Sequence, residues 1–451
     1  MKYSVITFGC RVNQADSLAF EEQLRAGGAT ASAPDDADLV IVNTCSVTAT
    51  ADQGARQTIR RIARENPAAA IVVTGCYATR RPDELAALPN VASVVVNDQK
   101  PNLIPLIRDG ARRVRLQPDQ RLQPDQRLQP DQRLQPDQRL QPDITTADRS
   151  ASGDGPCGAS IEPGVAGRTA FTLCVQTGCA EPCTYCIIPS TRGAPRSVAP
   201  DQLIREIDRV AAAGFKEIVL TGVHLGSYGR DLNPPSRLID LLSAIDRRAP
   251  DVLVRVSSLE PMDCPAGIVR LVASSPVFAP HFHLPLQHAS DRILAAMKRP
   301  YTLAFYASLV DTIRARLPHA SIGSDIIVGF PGETDHDFEQ LVAYLERSPL
   351  THVHVFPYSD RPGTEASALT GKVHGSAIRE RARRVREVGR RLTDRFHRSQ
   401  LGTVHRGLTL EDGTLVVTGN YLKVRIEPGR PRNEWVRVLI NGTNPIVGAV
   451  M

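Results

Sequence analysis

Short apolar runs alternate with helical patterns over the first part of the chain. The runs lie at residues 5–8, 39–42 and 71–73. Each is short and contains the valine and isoleucine typical of buried strands. Between them, apolar residues recur at helical spacing over residues 14–25 and up to residue 64. Because strands that alternate with helices form parallel sheets, the pattern predicts a parallel βα sheet domain over residues 1–115.

The same alternation returns, with more repeats, in the middle of the chain. Six candidate strands lie at residues 170–175, 217–220, 252–256, 281–284, 321–328 and 352–356. Helical patterns between them cover residues 201–213, 303–317 and 335–347. This predicts a (βα)6 partial TIM barrel over residues 167–378. Each strand ends in a polar or glycine-rich turn, and in such a barrel these turns share the C-terminal face, where active sites are built.

The period of the hydrophobic pattern changes in the last part of the chain. Residues 379–401 predict a basic connecting helix with one apolar stripe. Beyond it, short strands at 408–410, 415–418, 422–426, 435–440 and 446–450 are separated by Gly, Asn and Pro turns. Five strands in about fifty residues are typical of a small β-barrel, which we place at residues 402–451.

A low-complexity segment separates the first two predicted domains. The unit Leu-Gln-Pro-Asp-Gln-Arg recurs from Leu116 to Asp143. A proline every sixth residue breaks both helices and sheet ladders, and a single leucine per unit cannot build a core. We therefore predict an extended linker over residues 116–166.

Composition and charge narrow the class of protein. The chain has 451 residues, 42% hydrophobic and 23% charged, which is ordinary for a globular protein. The sequence contains no run of 18 apolar residues, so no membrane span is predicted. The N-terminus lacks the pattern of a secretory signal, so we expect a cytoplasmic protein. The net charge of +6 is compatible with a nucleic-acid partner.

Three cysteines follow the first strand of the predicted barrel. Cys179, Cys183 and Cys186 are spaced by three and two residues, a loop that can aim three thiolates at one point. A structural zinc site normally needs four protein ligands, and a disulfide needs an oxidising compartment. Three thiolates favour an iron-sulfur cluster with one iron left open for a small molecule, with zinc as the alternative.

Three further cysteines come directly after the N-terminal strands. Cys10, Cys45 and Cys76 each lie just past a predicted strand end. The carboxyl ends of parallel strands share one edge of the sheet, so these residues should converge. The pattern predicts a second cluster, although single buried cysteines also occur as small apolar residues. That simpler interpretation is favoured for Cys174, and neither Cys157 nor Cys264 belongs to a recognised pattern.

The cysteine loop, with its aromatic residue Tyr185, resembles the signature of radical S-adenosylmethionine enzymes. Other motifs resemble the methylthiotransferases among them: Gly-Cys-Arg-Val-Asn-Gln at 9–14, Asn-Thr-Cys-Ser-Val-Thr at 43–48, Thr-Gly-Cys-Tyr at 74–77 and Cys-Thr-Tyr-Cys-Ile-Ile-Pro at 183–189. The first two, with Asn-Tyr-Leu-Lys-Val at 420–424, are most similar to the branch that acts on threonylcarbamoyladenosine in tRNA. In contrast, residues 287–290 and 297–300 resemble the branch that modifies an aspartate of a small-subunit ribosomal protein.

The resemblance implies a tRNA methylthiotransferase that inserts a methylthio group at C2 of N6-threonylcarbamoyladenosine, at position 37. It implies two [4Fe-4S] clusters, one on Cys179, Cys183 and Cys186 and one on the N-terminal cysteines, and two S-adenosylmethionine molecules. An electron-donor protein and a sulfur source are also implied, and no membrane. The chemistry needs no catalytic side chain, because the cofactors generate the radical. The candidates for contact with S-adenosylmethionine are Tyr185, Gly222, Glu260, Gln287 and Asp325.

The C-terminal barrel resembles the TRAM domain, which holds RNA in such enzymes. Lys423, Arg425 and Arg437 are then candidates for phosphate contacts, and Tyr421 for stacking on a base. Three alternatives stay open: the ribosomal-protein target, isopentenyladenosine in tRNA, and a non-catalytic iron-sulfur protein that binds RNA.

Overall fold

The N-terminal sheet has five parallel strands in a computed structural model that describes residues 1–107 and 169–451. The strands are β1 (Lys2–Thr7), β2 (Thr30–Ala31), β3 (Leu39–Thr44), β4 (Ala70–Gly75) and β5 (Val91–Val95), in the order β2-β1-β3-β4-β5. The helices are Arg11–Ala26, Ala49–Glu65, Cys76–Arg80 and Pro82–Ala86. The predicted linker, residues 116–166, lies outside the described residues.

Both faces of the N-terminal sheet are covered by helices. Along β3, Val40 and Val42 pack against the helix Ala49–Glu65, whereas Leu39 and Ile41 face the helix Arg11–Ala26 on the other side. Successive residues of a strand point to opposite faces, so a strand buried on both sides must be apolar throughout. This explains the uninterrupted apolar run by which the strand was predicted.

The central domain contains six parallel strands and one short antiparallel strand. The strands are β6 (Ala170–Thr177), β7 (Arg196–Ser197), β8 (Glu217–Gly222), β9 (Leu253–Val256), β10 (His281–His283), β11 (Ser321–Val328) and β12 (His352–Pro357). They form the sheets β7-β6-β8-β9 and β10-β11-β12. Isolated parallel bridges, one between Ser258 and His283, connect the two sheets. The strands therefore follow one another as in the predicted partial barrel.

Helices cover the outside of the central strands. They are Pro200–Ala212, Leu238–Arg248, Ala266–Ser274, Asp291–Ala296, Leu303–Arg316 and Asp335–Arg347, whereas the short helix Ile188–Arg192 follows the cysteine loop. The largest apolar core of the described chain lies between these helices and the outward-facing strand residues, such as Leu173, Leu220 and Ile326. Alternate strand residues face the interior of the barrel, where polar side chains collect.

The chain ends in a long helix, Gly375–Ser399, and a closed five-stranded barrel. The barrel strands are β13 (Val404–Leu410), β14 (Leu415–Thr418), β15 (Lys423–Arg425), β16 (Trp435–Thr443) and β17 (Ile446–Val450), in the order β13-β14-β15-β17-β16. The predicted fold class is thus confirmed in all three parts. Within the described residues, no helix is long and apolar enough to cross a membrane.

Candidate functional site

The loop with Cys179, Cys183 and Cys186 leaves β6 at its carboxyl end and is fixed by backbone hydrogen bonds. The N–H of Cys179 donates to Gly193 O at 3.0 Å, and that of Cys186 donates to Cys183 O at 3.1 Å. The hydroxyl of Thr184 donates to Ala296 O at 3.0 Å, which ties the loop to the segment after β10. The three sulfurs are therefore held at one end of the central barrel, as predicted.

The environment of these thiols suits a metal cluster. Burial raises the pKa of Cys186 to about 12, and the neighbouring Cys183 and Cys179 add to the effect. Burial also raises the pKa of Cys183. Clustered, desolvated thiols are costly to ionise unless a cation compensates their charge, and a bound metal deprotonates its thiol ligands. The donor set thus fits an iron-sulfur cluster.

Arg299 links this loop to the turn after β9. Its Nη1 donates to Cys183 Sγ at 3.2 Å, and its Nη2 forms an ion pair with Glu260. The Arg299 side chain is almost fully buried, and its Nε donates to the Tyr301 hydroxyl at 3.1 Å. Glu260, a predicted cofactor contact, therefore holds the arginine beside the cysteine loop. Arg299 itself was not predicted, although the Met-Lys-Arg-Pro motif contains it.

Three other predicted cofactor contacts lie at the same end of the barrel. Tyr185 packs on an apolar cluster that includes Met297 and Phe330. Gln287 bridges to β11, its N–H donating to Asp325 O at 2.8 Å. At Gly222 a side chain would meet Leu225 and the Gln176 amide, so the absence of a side chain there has an intramolecular reason.

Asp325 lies between two histidines of the neighbouring strands. His283 Nε2 and His354 Nδ1 lie 2.9 Å and 3.2 Å from Asp325 Oδ1. Burial raises the pKa of Asp325, but the two histidines lower it more, so that the net pKa is well below the usual value. The three ligand atoms lie within 4.8 Å of one another, a spacing that a metal ion could bridge. Of these three residues only Asp325 was predicted, as a cofactor contact; the two histidines were not, although the His-x-His pairs in β10 and β12 are a visible signal.

The N-terminal cysteines converge at the carboxyl edge of their sheet. A side chain on Gly9, which has φ +89°, would collide with Cys45, so Cys10 and Cys45 approach closely. Burial raises the pKa of Cys45 to about 12, and Cys10 and Cys76 raise it further. Cys45 and Cys76 are buried, whereas Cys10 is exposed. The prediction that these three residues lie together is consistent with this geometry.

A short helix after the cysteine loop connects the two groups of cysteines. At its end, Arg192 Nη2 donates to Asn13 Oδ1 at 2.5 Å and lies 3.4 Å from Asp16 Oδ2. Asn97 Nδ2 donates to Thr191 O at 2.7 Å and lies 3.7 Å from Cys76 Sγ. The arginine and its partners come from separate domains, and no local pattern in the sequence marks them. The helix therefore docks beside the N-terminal cysteines.

His224, in the turn after β8, lies against the cysteine loop from the other side. Its Nε2 is 2.8 Å from Asp263 Oδ2, and its Nδ1 is 3.6 Å from Glu181 Oε1. Burial lowers the pKa of His224, but Asp263 and Cys179 raise it more, so that it reaches about 10. The carboxylates of Asp263 and Glu181 therefore favour the protonated imidazole, close to the predicted cluster ligands.

The predicted RNA contacts fall into two groups. Lys423, Arg425 and Arg437 are exposed on the C-terminal barrel, as a phosphate-binding surface requires. Tyr421 has a different setting, since Arg255 lies 4.6 Å from the centre of its ring and the ring of His281 lies at 5.3 Å. Its hydroxyl accepts a hydrogen bond from Arg11 Nη2 at 3.0 Å. This tyrosine thus contacts both other domains.

Comparisons with known proteins agree with this architecture. Residues 2–97 match the family described as uncharacterized protein family UPF0004, and residues 173–345 match the radical SAM superfamily. Among solved structures, the radical S-adenosylmethionine methyltransferase TsrM from Kitasatospora setae is similar, with a TM-score of 0.55 and 17% identity. The match covers 81% of this chain and 74% of that one, and it supports the fold.

Two curated relatives match over nearly the whole chain. The threonylcarbamoyladenosine tRNA methylthiotransferase MtaB of Aquifex aeolicus is 35% identical, covering 98% of this chain and 100% of the relative. The ribosomal protein uS12 methylthiotransferase RimO of Saccharopolyspora erythraea is 32% identical, covering 100% of this chain and 92% of the relative. The two relatives differ in the substrate that their names state.

Proposed function

Because the chain belongs to the radical S-adenosylmethionine methylthiotransferases, in the threonylcarbamoyladenosine tRNA branch, we propose that it methylthiolates C2 of N6-threonylcarbamoyladenosine at position 37 of tRNA. The observation that carries the proposal is the pairing of two cysteine groups on two domains. Cys179, Cys183 and Cys186 end one strand of the barrel, and Cys10, Cys45 and Cys76 end strands of the sheet that docks on it. Arg192 joins the two sites.

In this proposal each cysteine group holds one [4Fe-4S] cluster, and the barrel also holds S-adenosylmethionine. When bound, these cofactors supply the electron and the radical that activate the substrate carbon, together with the site at which sulfur is methylated. The proposed domains are the sheet domain at residues 1–115, the linker at 116–166, the partial barrel at 167–378, the connecting helix at 379–401 and the C-terminal β-barrel at 402–451.

The side chains around the two cysteine groups position the cysteine loop, line the proposed cofactor site and limit the access of water. Arg299 and Glu260 hold the cysteine loop, and the cation of Arg299 compensates thiolate charge at Cys183. Tyr185, Gln287 and Asp325 line the barrel end where S-adenosylmethionine is proposed to sit, with Gly222 in the adjoining turn. Cys45 and Cys76 are buried, and the barrel cysteines are partly buried, so the docked domains limit the access of water, which favours radical chemistry.

The RNA is proposed to bind on the C-terminal barrel. Lys423, Arg425 and Arg437 offer three exposed cations there, and phosphate contacts supply most of the affinity of such surfaces. This supports a TRAM-like role for the barrel. The reaction also needs an electron-donor protein and a sulfur source, and we place it in the cytoplasm with its tRNA substrate.

Mass spectrometry of tRNA nucleosides from cells that lack the gene tests this proposal. The 2-methylthio derivative of threonylcarbamoyladenosine should disappear, and its precursor should accumulate. Complementation by the wild-type gene should restore the product, whereas a Cys179→Ser variant should not. Unchanged nucleosides in the deletion strain would contradict the proposed substrate.

A ribosomal-protein target is the second candidate. It is favoured by the resemblance of residues 287–290 and 297–300 to that branch and by the 32% identity to the RimO relative. The same deletion strain distinguishes the two, because this alternative predicts an unmodified ribosomal aspartate with unchanged tRNA. Loss of a methylthio group from isopentenyladenosine would instead indicate the third target.

A further inference from the structure

Arg11 directly follows Cys10 and begins the helix Arg11–Ala26. Its Nη2 donates a hydrogen bond to the Tyr421 hydroxyl at 3.0 Å. Within residues 1–107 and 169–451, no aspartate or glutamate forms an ion pair with this arginine. The side chain is only partly buried, and both Cys10 and Tyr421 are exposed. A cation without a counter-charge therefore lies next to a proposed cluster ligand.

The tyrosine that Arg11 contacts rests on a second arginine. Arg255 is 1% exposed and lies 4.6 Å from the Tyr421 ring. Its Nε pairs with Glu217 at 2.7 Å and its Nη1 donates to Gly419 O at 2.9 Å, but no described residue accepts a hydrogen bond from its Nη2. A buried donor without an acceptor costs about 1–3 kcal/mol, so such a group indicates a missing anionic or polar ligand.

The neighbouring groups leave this region positive. The ring of His281 lies 5.3 Å from that of Tyr421, tilted by 41°, and burial together with Arg255 holds the pKa of His281 well below the ordinary value, so it is neutral. The Nδ1 of His281 is also buried, with no hydrogen-bond partner in the part of the chain that the structure describes. Among the described residues, Glu217 pairs with Arg255 and no carboxylate pairs with Arg11, so the two guanidinium groups have one counter-charge between them. Charge complementarity favours an anion with hydrogen-bond acceptors.

We infer that Arg11, with Arg255 and Tyr421 behind it, binds the carboxylate of the threonylcarbamoyl group, an inference that rests on the proposed function. The threonylcarbamoyl group is attached to N6 of the adenine and ends in a free carboxylate, whereas a dimethylallyl group carries no charge. An arginine can bind a carboxylate through two parallel charge-assisted hydrogen bonds. Because the reacting C2 must lie near Cys10, the next residue in the chain is well placed to read the N6 substituent.

A tRNA phosphate could offer the same oxygen chemistry, so the experiment must separate the two anions. The full-length, cluster-loaded enzyme is given an anticodon stem-loop with threonylcarbamoyladenosine, the same RNA with its carboxylate as the methyl ester, and the unmodified RNA. Affinity and kcat/KM are measured for the wild type and for Arg11→Gln, Arg11→Lys and Tyr421→Phe. Arg61→Gln, which removes an exposed arginine of the same domain, is the matched control.

For the wild type and Arg61→Gln, affinity and kcat/KM should be about 10- to 100-fold higher with the carboxylate RNA than with the ester RNA. Arg11→Gln should abolish the preference, Arg11→Lys should retain part of it, and Tyr421→Phe should weaken it. A preference that survives in Arg11→Gln would overturn the inference. So would an equal loss of affinity for all three RNAs, since that indicates a phosphate contact.

The remaining results are also decisive. If Arg11→Gln fails to load iron, the ratios measured for Arg11→Lys and Tyr421→Phe decide in its place, and an unchanged ratio in both overturns the inference. If the loaded wild type modifies none of the three RNAs, the proposed function itself is refuted. A wild type that modifies the ester and the acid equally refutes only the carboxylate site.

Discussion

Arg361, in the loop after β12, donates a hydrogen bond from Nη1 to Asp52 Oδ2 of the N-terminal domain at 2.7 Å. Both side chains are about 95% buried. The same carboxylate accepts from Arg80 at 2.5 Å, so one aspartate serves two arginines. This shared carboxylate anchors the segment after Cys45 to the mouth of the barrel.

Replacing Asp52 by Asn should loosen the docking of the two domains. The change leaves two guanidinium groups without a counter-charge, and breaking a buried ion pair costs about 3–5 kcal/mol. Limited proteolysis and thermal unfolding should both show earlier release of the N-terminal domain. Asp98→Asn is the control, because Asp98 meets Arg196 across the same boundary at 3.2 Å but in solvent, where a pair contributes about 0–1 kcal/mol. Equal effects of the two variants would contradict this role for Asp52.

Iron content should divide between the two cysteine groups. Anaerobically prepared wild type is expected to hold about eight irons, and a variant with serine at 179, 183 and 186 about four. A variant with serine at 10, 45 and 76 should also hold about four, but it should still cleave S-adenosylmethionine. Iron and sulfide analysis with absorption spectra provides the measurement.

Cys264→Ser is the matched control for iron loading. Cys264 is buried in the apolar core, where burial raises its pKa to about 12, and it belongs to neither cysteine group. This variant should load the full iron content. Wild-type protein that binds about four irons under saturating reconstitution would show that one of the two groups is not a cluster site.

Stability should fall as the pH drops below about 6.5. His288 is fully buried, and burial lowers its pKa from 6.5 to about 4. The unfolded chain therefore binds a proton between these pH values while the folded chain does not, which favours unfolding. His352 and His405, with pKa values lowered to about 3 and about 4, act in the same direction.

His288→Gln should flatten part of this pH dependence. The unfolding midpoint of the variant, followed from pH 8 to about pH 4, should fall less steeply than that of the wild type. His336→Gln removes an exposed histidine and should leave the slope as it is. Parallel curves of unfolding midpoint against pH for His288→Gln and the wild type would contradict the assignment of this pH dependence to His288.

The salt dependence of tRNA binding should report on the C-terminal barrel. Changing Lys423 and Arg425 to Ala should weaken binding and lower the slope of log K against log salt by about one unit per lost phosphate contact. Arg205→Ala, which removes an exposed arginine of the central domain, is the control. Slopes that stay equal in all three proteins would place the RNA elsewhere.

The main elements could be predicted because burial on both sides leaves a strong apolar signal. The strand β11 was predicted with its observed limits, since its buried Ile322 and the apolar run from Ile326 to Val328 stand between flanking turns. The edge strand β5, Val91–Val95, was missed, because most of its residues are only partly buried or exposed and its pattern is weak. The two-residue strands β2 and β7 are too short for any period to be visible.

Contacts between distant segments could not be predicted in the same way. The cysteines were found because strand ends of a parallel sheet share one edge, a rule that needs no tertiary coordinates. Arg192, Arg299 and Arg361 obtain their roles from partners far away in the chain. For Tyr421 the local motif indicated stacking, but its ring neighbours are an arginine and a histidine of the central domain.

Tyr421 belongs to the C-terminal barrel, yet its hydroxyl and its ring are held by Arg11 and Arg255. Exchanging the barrel between members of the family would therefore also change the contacts that join it to the two other domains. A chimaera that receives a foreign barrel would have to restore this tyrosine. A chimaera with a transplanted barrel should thus be active only when the donor barrel carries an aromatic hydroxyl at the position of Tyr421. The residue at this turn therefore indicates which barrels can be exchanged.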